Sequence, residues 1–316
     1  MSYLIEMKKI CIITVYMGKF PQYFNLWLAS CGFNSSIDFL LITDQQILER
    51  PNNVRVVKSD LPTLKEMFNV AVGKSVKLDY PYKLCDYKPM YGLVFHEYLV
   101  GYDFWGHCDV DLIFGDIRKF ATDSILEKYD KIFPLGHLSL YRNTEFVNNL
   151  FKMPGSKRGD YTEVIATNRS CVFDERYGIN KIFEYNQCPI YLKEIAADID
   201  FRRFRMTIAG SQNINYPNQI FYFEKGRCMR AYYDNGVIKY DEFAYLHLQK
   251  RFYKETTEYS NFFIVSPDAF IQGGRIDYEL IKRINPYKGR IAEAVEYVYK
   301  DFKFRISRRL NNLFIK

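Results

Sequence analysis

The sequence lacks the features that mark a secreted, zinc-stabilised or membrane-spanning chain. Its seven cysteines are odd in number, widely spaced and include no C-x-x-C pair, which argues against a disulfide framework and a structural zinc site. The apolar run within the opening stretch MSYLIEMKKICIITVYMG is too short for a spanning helix, and it lacks the small-residue cleavage pattern of a signal peptide. These absences lead us to expect a cytoplasmic protein with reduced cysteines.

An excess of one charge sign is also missing from most of the chain. The 316 residues include 44 Lys and Arg against 37 Asp and Glu, a net charge of +7. Residues 297–316 alone hold six basic residues and one acidic residue, so the remaining 38 basic and 36 acidic residues nearly cancel. Because nucleic-acid-binding domains carry a basic surface, no nucleic-acid partner is expected. A content of 48% hydrophobic and 26% charged residues also excludes disorder.

Short β-branched runs alternate with helical stretches in the first half of the chain. Residues 10–15 form an unbroken apolar run typical of a strand buried on both faces, and 37–43 and 54–57 are the next two strands. Helices are predicted over 63–72 and 89–99 from apolar residues three and four positions apart. This order predicts an α/β protein with a mostly parallel sheet and right-handed crossovers.

The second half of the chain has a different pattern. Loop-like stretches follow residue 155, and Asn235-Gly236 lies between two alternating runs, which predicts a two-residue hairpin turn. The C-terminus has a helical pattern, and no internal repeat or low-complexity linker divides the chain. We therefore expect one main domain over 1–270 and a basic helical extension over 271–316.

The most informative stretch is YDFWGHCDVDLIFGDIRKF at residues 102–120, in which an apolar strand leads into Asp109-Val110-Asp111. Ligands bind outside the carboxyl ends of strands in open α/β sheets, and alternate side chains of extended backbone share a face. Two such carboxylates repel each other unless a cation lies between them, and Mn²⁺ or Mg²⁺ fits oxygen ligands. The alternative is a solvated turn, but the strand and the apolar surroundings favour a metal site.

At this point the sequence resembles the GT-A-type glycosyltransferases, in particular the bacterial uncharacterised-domain glycosyltransferases of polysaccharide gene clusters. The resemblance extends from about residue 9 to residue 251. The matching stretches are KICIITVYMGKFPQYFNLWL, YKLCDYKPMYG, FWGHCDVDLIFGDI, GHLSLYRN, FDERYGINKIF and AYLHLQKR. It implies a Rossmann-like GT-A fold with a mostly parallel sheet, a mixed antiparallel second half and a helical C-terminal extension.

The resemblance also implies an activity. In GT-A enzymes the two D-x-D carboxylates hold a divalent metal that bridges the diphosphate of a nucleotide sugar, so Asp109 and Asp111 take that role here. The implied reaction moves a hexose from a nucleotide sugar, with a UDP-sugar favoured, to a hydroxyl of a glycan or lipid-linked glycan. The implied setting is the synthesis of a capsule or another surface polysaccharide.

Further residues are candidates for contacts with the nucleotide. Asp86 and Lys88 in YKLCDYKP precede the D-x-D strand, where Asp86 is expected on a ribose or base edge and Lys88 on phosphate. The alternative is a charged first turn of a helix. By similarity to GT-A folds, Thr14 and Tyr16 at the exit of the first strand and Asp44 at the exit of the second surround the base and the ribose.

Candidates for the metal and the chemistry come from later in the chain. His247 corresponds to the third metal ligand of GT-A enzymes, and Lys250 is expected to neutralise the leaving diphosphate. A lone His on a half-buried strand can equally be structural. Asp174 and Glu175 are candidates for the general base that an inverting transferase needs, and the alternative for both is capping of a helix.

Two other functions remain open from the sequence. A non-catalytic nucleotide-sugar or glycan-binding protein would keep the fold and lose the chemistry. A nucleotidyltransferase shares the acidic pair, but it would more naturally carry a Gly-rich phosphate loop near the N-terminus, which this sequence lacks.

The basic C-terminal segment has its own pattern. Apolar residues recur at steps of three and four among Lys and Arg, namely at Phe302, Ile306, Leu310, Leu313 and Phe314. This pattern predicts a helix over 297–316 that lies on the anionic inner face of a membrane, and it equally allows a charged helix packed on its own domain.

Overall fold

The computed structural model describes residues 7–210, 212–249, 251–253 and 261–314, with the backbone alone for 308 and 310–314. Within these residues the chain forms fifteen strands and ten α-helices. The strands are β1 Ile10–Tyr16, β2 Asp38–Thr43, β3 Val54–Lys58, β4 Phe104–Cys108, β5 Leu112–Phe114, β6 Lys131–Leu135, β7 Leu138–Arg142, β8 Ile190–Tyr191, β9 Ala196–Asp198, β10 Gln219–Glu224, β11 Arg227–Asp234, β12 Val237–Phe243, β13 Tyr245–His247, β14 Phe262–Val265 and β15 Phe270–Gln272. The helices are α1 Phe24–Phe33, α2 Leu61–Val72, α3 Leu84–Tyr87, α4 Tyr91–Val94, α5 Asp123–Lys128, α6 Glu145–Asn149, α7 Tyr161–Ile165, α8 Ile179–Tyr185, α9 Tyr278–Ile284 and α10 Arg290–Phe314. Short 3₁₀ turns lie at Pro81–Lys83, Lys88–Met90, His96–Leu99, Ile117–Lys119 and Leu150–Lys152.

The chain divides into two compact units. The first unit consists of Met1–Lys19, Ser35–Val110 and Ala121–Glu194, and the second of Phe20–Asn34, Asp111–Phe120 and Ile195–Lys316. Residues 271–316 fall in the same unit as 195–270. The boundary between a main domain and an extension at residue 270 stays a prediction.

The first unit is built on a seven-stranded sheet in the order β3-β2-β1-β4-β7-β6-β8. β1 lies parallel to β2 and β4, β2 lies parallel to β3, and β6 lies parallel to β8, while β7 runs antiparallel between β4 and β6. β1 is buried along Ile10–Thr14, because its unbroken apolar run suits a strand covered on both faces. The predicted α/β architecture with a parallel-rich sheet is confirmed.

The two helices predicted in this unit have different outcomes. α2 begins at Leu61, because the Asp60 carboxylate accepts a hydrogen bond from the Thr63 N–H at 2.8 Å, and it ends at Gly73, which has a φ of 70°. The single helix predicted over 89–99 is wrong, because the chain there forms α4 between two 3₁₀ turns. Side chains on most sides of this segment are buried in the core, so tertiary packing overrides the helical spacing.

Lys131 is buried on β6 without a carboxylate within ion-pair distance among the described residues. Its Nζ donates to the Phe133 carbonyl at 2.6 Å and to the Ser139 Oγ at 3.0 Å. Burial lowers the pKa of this amine to about 7, although Glu175 and Asp174 act in the opposite direction. The folded protein therefore disfavours the ammonium form of Lys131.

We expect the Lys131→Met variant to lose part of the pH dependence of stability. Between about pH 7 and about pH 10 the unfolded chain holds a proton on Lys131 that the folded chain releases, so stability rises with pH across this window. The variant should lack this rise in the free energy of unfolding, which amounts to a few kcal/mol at most. Urea denaturation at both ends of the window measures it. Lys128→Met, an exposed lysine on α5, should keep the rise. If stability rises with pH as steeply in Lys131→Met as in the original chain, the lowered pKa of Lys131 is not the cause of the rise.

The second unit contains two smaller sheets and three of the helices. The antiparallel sheet has the order β12-β11-β10-β14-β15, and a three-stranded sheet has the order β5-β13-β9. The predicted hairpin turn is confirmed between β11 and β12, where Asn235 and Gly236 both adopt a positive φ, at 50° and 85°. A core of aromatic and aliphatic side chains from both sheets, with Tyr23 and Leu26 of the segment containing α1, stabilises the unit. In the described part of the chain, no helix is both long enough and apolar enough to cross a membrane.

Candidate functional site

In the first unit, Asp109 follows directly on β4, and its N–H donates to the His137 carbonyl at 3.1 Å. The Lys88 Nζ lies 2.7 Å from the Asp109 Oδ1 and 3.1 Å from the Asp174 Oδ2, and it donates to the Gly136 carbonyl at 2.9 Å. The structure therefore joins three residues for which the sequence predicted separate roles in metal, phosphate and base chemistry.

Asp174 is a buried carboxyl group with a perturbed pKa. Burial raises the pKa to about 7; Lys88 acts against this rise, and the neighbouring Glu175 adds to it. A Cβ on Gly136 would lie 2.6 Å from the Asp174 Oδ2 and 2.9 Å from the Glu175 Oε1, so glycine allows both carboxyl groups to pack against this loop. Gly178 is the N-cap of α8, and no side chain caps this helix, so Asp174 does not act as its cap.

In the second unit, the three-stranded sheet gathers a second set of polar side chains. β13 pairs antiparallel with β5 and parallel with β9, and this register places His247 opposite Leu112 and Asp198. The His247 Nε2 lies 3.4 Å from the Asp111 Oδ2, and the His247 Nδ1 lies 2.7 Å from the Asp198 Oδ1. One imidazole therefore lies between two carboxylates.

The residues around His247 fit a divalent cation. The Asp111 Oδ1 is buried and has no hydrogen-bond partner among the residues that the structure describes. Burial works against a charge on His247, but the Asp111 and Asp198 carboxylates outweigh it and raise its pKa to about 10. A carboxylate oxygen without a partner beside an imidazole is an arrangement that Mn²⁺ or Mg²⁺ can complete, since both donor types bind such ions.

Asp198 is the residue of this site that the sequence reasoning missed. It lies in AADID at 196–200, within the region after residue 155 where the sequence predicts loop-like stretches, although it is a second D-x-D, beginning on β9. Besides His247, the Gln249 Nε2 donates to the Asp198 Oδ1 at 2.5 Å. A carboxylate that binds the far nitrogen of an imidazole fixes the orientation of the ring.

The carboxylate of Asp86 is buried in the first unit and binds groups within it. Asp86 is 1% exposed, and it accepts hydrogen bonds from the backbone N–H groups of Cys171 at 2.9 Å and Phe173 at 3.1 Å. The Lys83 Nζ lies 2.8 Å from the same carboxylate, also buried. Asp86 therefore does not face an open site; it holds the segment that leads into Asp174.

The predicted nucleotide contacts on β1 are only partly accessible. Thr14 is 1% exposed, and its Oγ1 lies 2.9 Å from the Cys108 Sγ, so this side chain packs inside the sheet rather than lining an open surface. Tyr16 is half-buried, and its hydroxyl donates to the Lys19 carbonyl at 3.1 Å.

Asp44 lies exposed after β2, beside the loop that follows β1. Its two carboxylate oxygens accept the Gly18 N–H at 2.9 and 3.2 Å, and hydrogen bonds from Gln45 and Gly18 lower its pKa. Gly18 has a φ of 100°, a conformation that glycine adopts readily. Lys250 lies outside the described residues.

Several solved structures that resemble this chain are glycosyltransferases, at low similarity. The galactosyltransferase LgtC in complex with donor and acceptor sugar analogues is 10% identical over 60% of this chain and 75% of its own, with a TM-score of 0.35. Mouse xyloside xylosyltransferase 1 is 8% identical over 61% and 88%, with a TM-score of 0.35. The glycosyltransferase GlyE of Streptococcus pneumoniae is 13% identical over 58% and 45%, with a TM-score of 0.31. No curated protein matches the chain.

A family model matches residues 12–273, which include the residues around Lys88, Asp111 directly before β5, and the strands that carry Asp198 and His247. The match extends over more than half of the sequence. The chain therefore belongs to the family of unknown function DUF6625.

Proposed function

We propose that this protein is a metal-dependent glycosyltransferase. It moves a hexose from a nucleotide sugar, a UDP-sugar in particular, to a hydroxyl of a glycan or lipid-linked glycan in the synthesis of a surface polysaccharide such as a capsule. The observation that carries the proposal is the buried Asp111 Oδ1, which has no partner among the described residues and belongs to a carboxylate beside His247. A cytoplasmic location, at the inner face of a membrane, belongs to the same proposal.

Asp109, Asp111 and His247 are the proposed ligands of Mn²⁺ or Mg²⁺. Asp109 lies two residues before Asp111, so the backbone holds their Cα atoms within about 7 Å of each other and one ion is in reach of both. When bound, the ion would supply positive charge to the diphosphate of the donor as the sugar leaves. Asp198 keeps the imidazole of His247 oriented toward Asp111.

Asp174 is the proposed general base. A carboxyl group whose pKa lies at about 7 can accept a proton near neutral pH, which an ordinary aspartate does poorly. Lys88 contacts Asp109 and Asp174 together, so its proposed role is to position these two carboxylates in addition to meeting phosphate. Glu175 contributes by raising the pKa of Asp174 and is the second candidate for the base.

The contacts with the rest of the donor have less support. Asp44 and Tyr16 are proposed to meet the base and ribose, since Tyr16 ends β1 and Asp44 follows β2, both at the carboxyl ends of parallel strands. Asp86 is proposed to act through the backbone segment that it holds, and Thr14 through its contact with Cys108, the residue before Asp109. Lys250 is proposed to neutralise the leaving diphosphate.

The test is turnover of a donor panel by the purified full chain. UDP-sugars and other nucleotide sugars are incubated with Mn²⁺, with Mg²⁺ and with a chelator, and released nucleotide and free or transferred sugar are measured. We expect turnover with metal, its loss on chelation and its recovery on adding Mn²⁺. Calorimetry that shows donor binding without turnover across the panel would instead establish a non-catalytic binding protein. Turnover indifferent to chelation would remove the metal from the proposal.

A further inference from the structure

α10 packs against the rest of the second unit with its acidic side. The Arg205 Nε donates to the Glu293 Oε1 at 2.6 Å, and the Phe204 N–H donates to the Glu296 Oε1 at 2.8 Å. Five residues after Glu296, the Arg202 Nη1 donates to the Asp301 Oδ1 at 3.3 Å. The arginine-rich segment 200–205 thus engages every acidic residue of α10 from inside the unit.

Aromatic contacts fix the same orientation. The guanidinium groups of Arg202 and Arg203 lie 4.7 and 4.9 Å from the centre of the Tyr297 ring. Phe304 packs edge-on against Phe201, with ring centres 5.1 Å apart. Tyr297 and Phe304 are seven residues apart, so they mark one side of the helix over two turns.

The opposite side of α10 is an exposed apolar stripe. Its members are exposed by 42% to 82%, which is the reverse of a surface helix that buries its apolar side in its own core. At about 100° per residue they fall within an arc of about 100°. The stripe consists of Ile291, Val295, Val298, Tyr299, Phe302 and Ile306.

The charges that border this stripe are positive. The C-terminal half of the helix exposes Lys303, Arg305 and Arg309 beside the stripe. Arg290 is exposed at the start of the helix. Glu293, Glu296 and Asp301 contact the segment 200–205, and Asp301 also accepts a hydrogen bond from the Arg305 Nε at 2.7 Å, so no acidic side chain of α10 lies among the stripe residues. The outward side of the helix is therefore apolar and cationic.

We infer that α10 docks on an anionic membrane surface, with the apolar stripe in the interfacial region and the basic residues against lipid phosphates. Charge complementarity selects this partner. A second copy of the chain would bring the same basic residues together, which costs free energy, whereas an anionic bilayer accepts both the apolar stripe and the cations. This inference stands on unit-internal contacts and is independent of the proposed catalytic activity.

Sedimentation with lipid vesicles tests the inference on the full chain. We expect binding to vesicles of phosphatidylcholine with phosphatidylserine, weaker binding to phosphatidylcholine alone, and a fall in binding as salt rises. Val298→Ser with Phe302→Ser should reduce binding at least about tenfold. The matched control is Val237→Ser with Tyr240→Ser on β12, since these residues are 53% and 52% exposed and should leave binding unchanged.

A second pair of variants tests the charges. Lys303→Glu with Arg309→Glu should also reduce binding to anionic vesicles at least about tenfold. Lys128→Glu with Lys157→Glu makes the same change of net charge at exposed positions elsewhere and should have a much smaller effect. Thermal melting confirms that each variant is folded.

Three results would overturn the inference. The first is full vesicle binding by the stripe variant. The second is binding that is equally strong without anionic lipid and at high salt. The third is a dimer in sedimentation velocity that the stripe variant converts to monomer, because the stripe would then serve contact between two copies.

Discussion

The Asp111→Asn variant is expected to lose metal-dependent sugar transfer by at least about 100-fold, and to bind Mn²⁺ more weakly by a similar factor. The substitution keeps the shape of the side chain and removes the negative charge whose buried Oδ1 has no partner in the described structure. Turnover measures the first effect and calorimetric titration with Mn²⁺ alone measures the second, so the site can be tested before the acceptor is known.

Asp116→Asn is the matched control for this experiment. Asp116 lies in the same stretch of sequence, is exposed, and accepts a hydrogen bond from the Lys119 N–H at the start of a 3₁₀ turn. We expect this variant to bind Mn²⁺ and to turn over donor as the original chain does. Equal Mn²⁺ affinity in the original chain and in Asp111→Asn would show that the ion does not use this carboxylate.

The Lys88→Met variant is expected to be less stable by about 3–5 kcal/mol. The Nζ of Lys88 is the cation between the carboxylates of Asp109 and Asp174, and the surrounding charge raises its pKa well above the usual range despite burial. Without the amine, Asp174 is left buried beside Asp109 without its counter-ion, so the folded chain either keeps an uncompensated carboxylate or takes up a proton there. Chemical denaturation, which gives the free energy of unfolding, measures the loss.

Two further variants distinguish this pair from ordinary surface charges. Adding Asp174→Asn to Lys88→Met removes one of the two uncompensated carboxylates and should restore a large part of the stability. Lys119→Met removes an amine 2.6 Å from Glu242, but Lys119 is about half exposed, so we expect a loss below about 1 kcal/mol. If Lys88→Met loses as little stability as Lys119→Met, water already screens the charges of Lys88, Asp109 and Asp174.

The local parts of the fold were predictable from the sequence. β1, β2 and β3 consist largely of β-branched and other apolar residues, and the Asn235-Gly236 turn depends on two adjacent residues that adopt a positive φ. The position of Asp109 after β4 followed from the same reasoning. The segment 89–99 was not predictable in this way, because core packing on several sides decides its backbone.

The partners within the candidate site depend on contacts between distant parts of the chain. Lys88 meets Asp174 across 86 positions, and His247 meets Asp198 only because β13 and β9 pair in parallel. No local pattern encodes either contact, so the same Lys88 suggested a phosphate contact when only its neighbours were considered. Asp86 shows the same limit, since a buried carboxylate and a ligand-facing one have the same sequence signature.

For the C-terminal helix, the sequence pattern predicts an apolar side but not the direction in which that side faces. The spacing of Phe302 and Ile306 correctly indicates one apolar side, but it allows that side to face the protein or the solvent. The segment 200–205 decides between these, because its arginines bind the acidic side of α10.

The second D-x-D of the chain contacts both the candidate ion site and the segment that holds α10. Asp198 binds His247, whereas Asp200, two residues later, binds Arg202, which in turn holds Asp301 of α10. If an ion at His247 shifts Asp198 and that displacement reaches Asp200 through the one residue between them, the anchor of the helix moves as well. Binding of the ion at His247 would then change the affinity of α10 for the membrane. By thermodynamic reciprocity, membrane binding would change the affinity for the ion by the same factor. A membrane that favoured one position of α10 would by that route also tune the affinity for the ion.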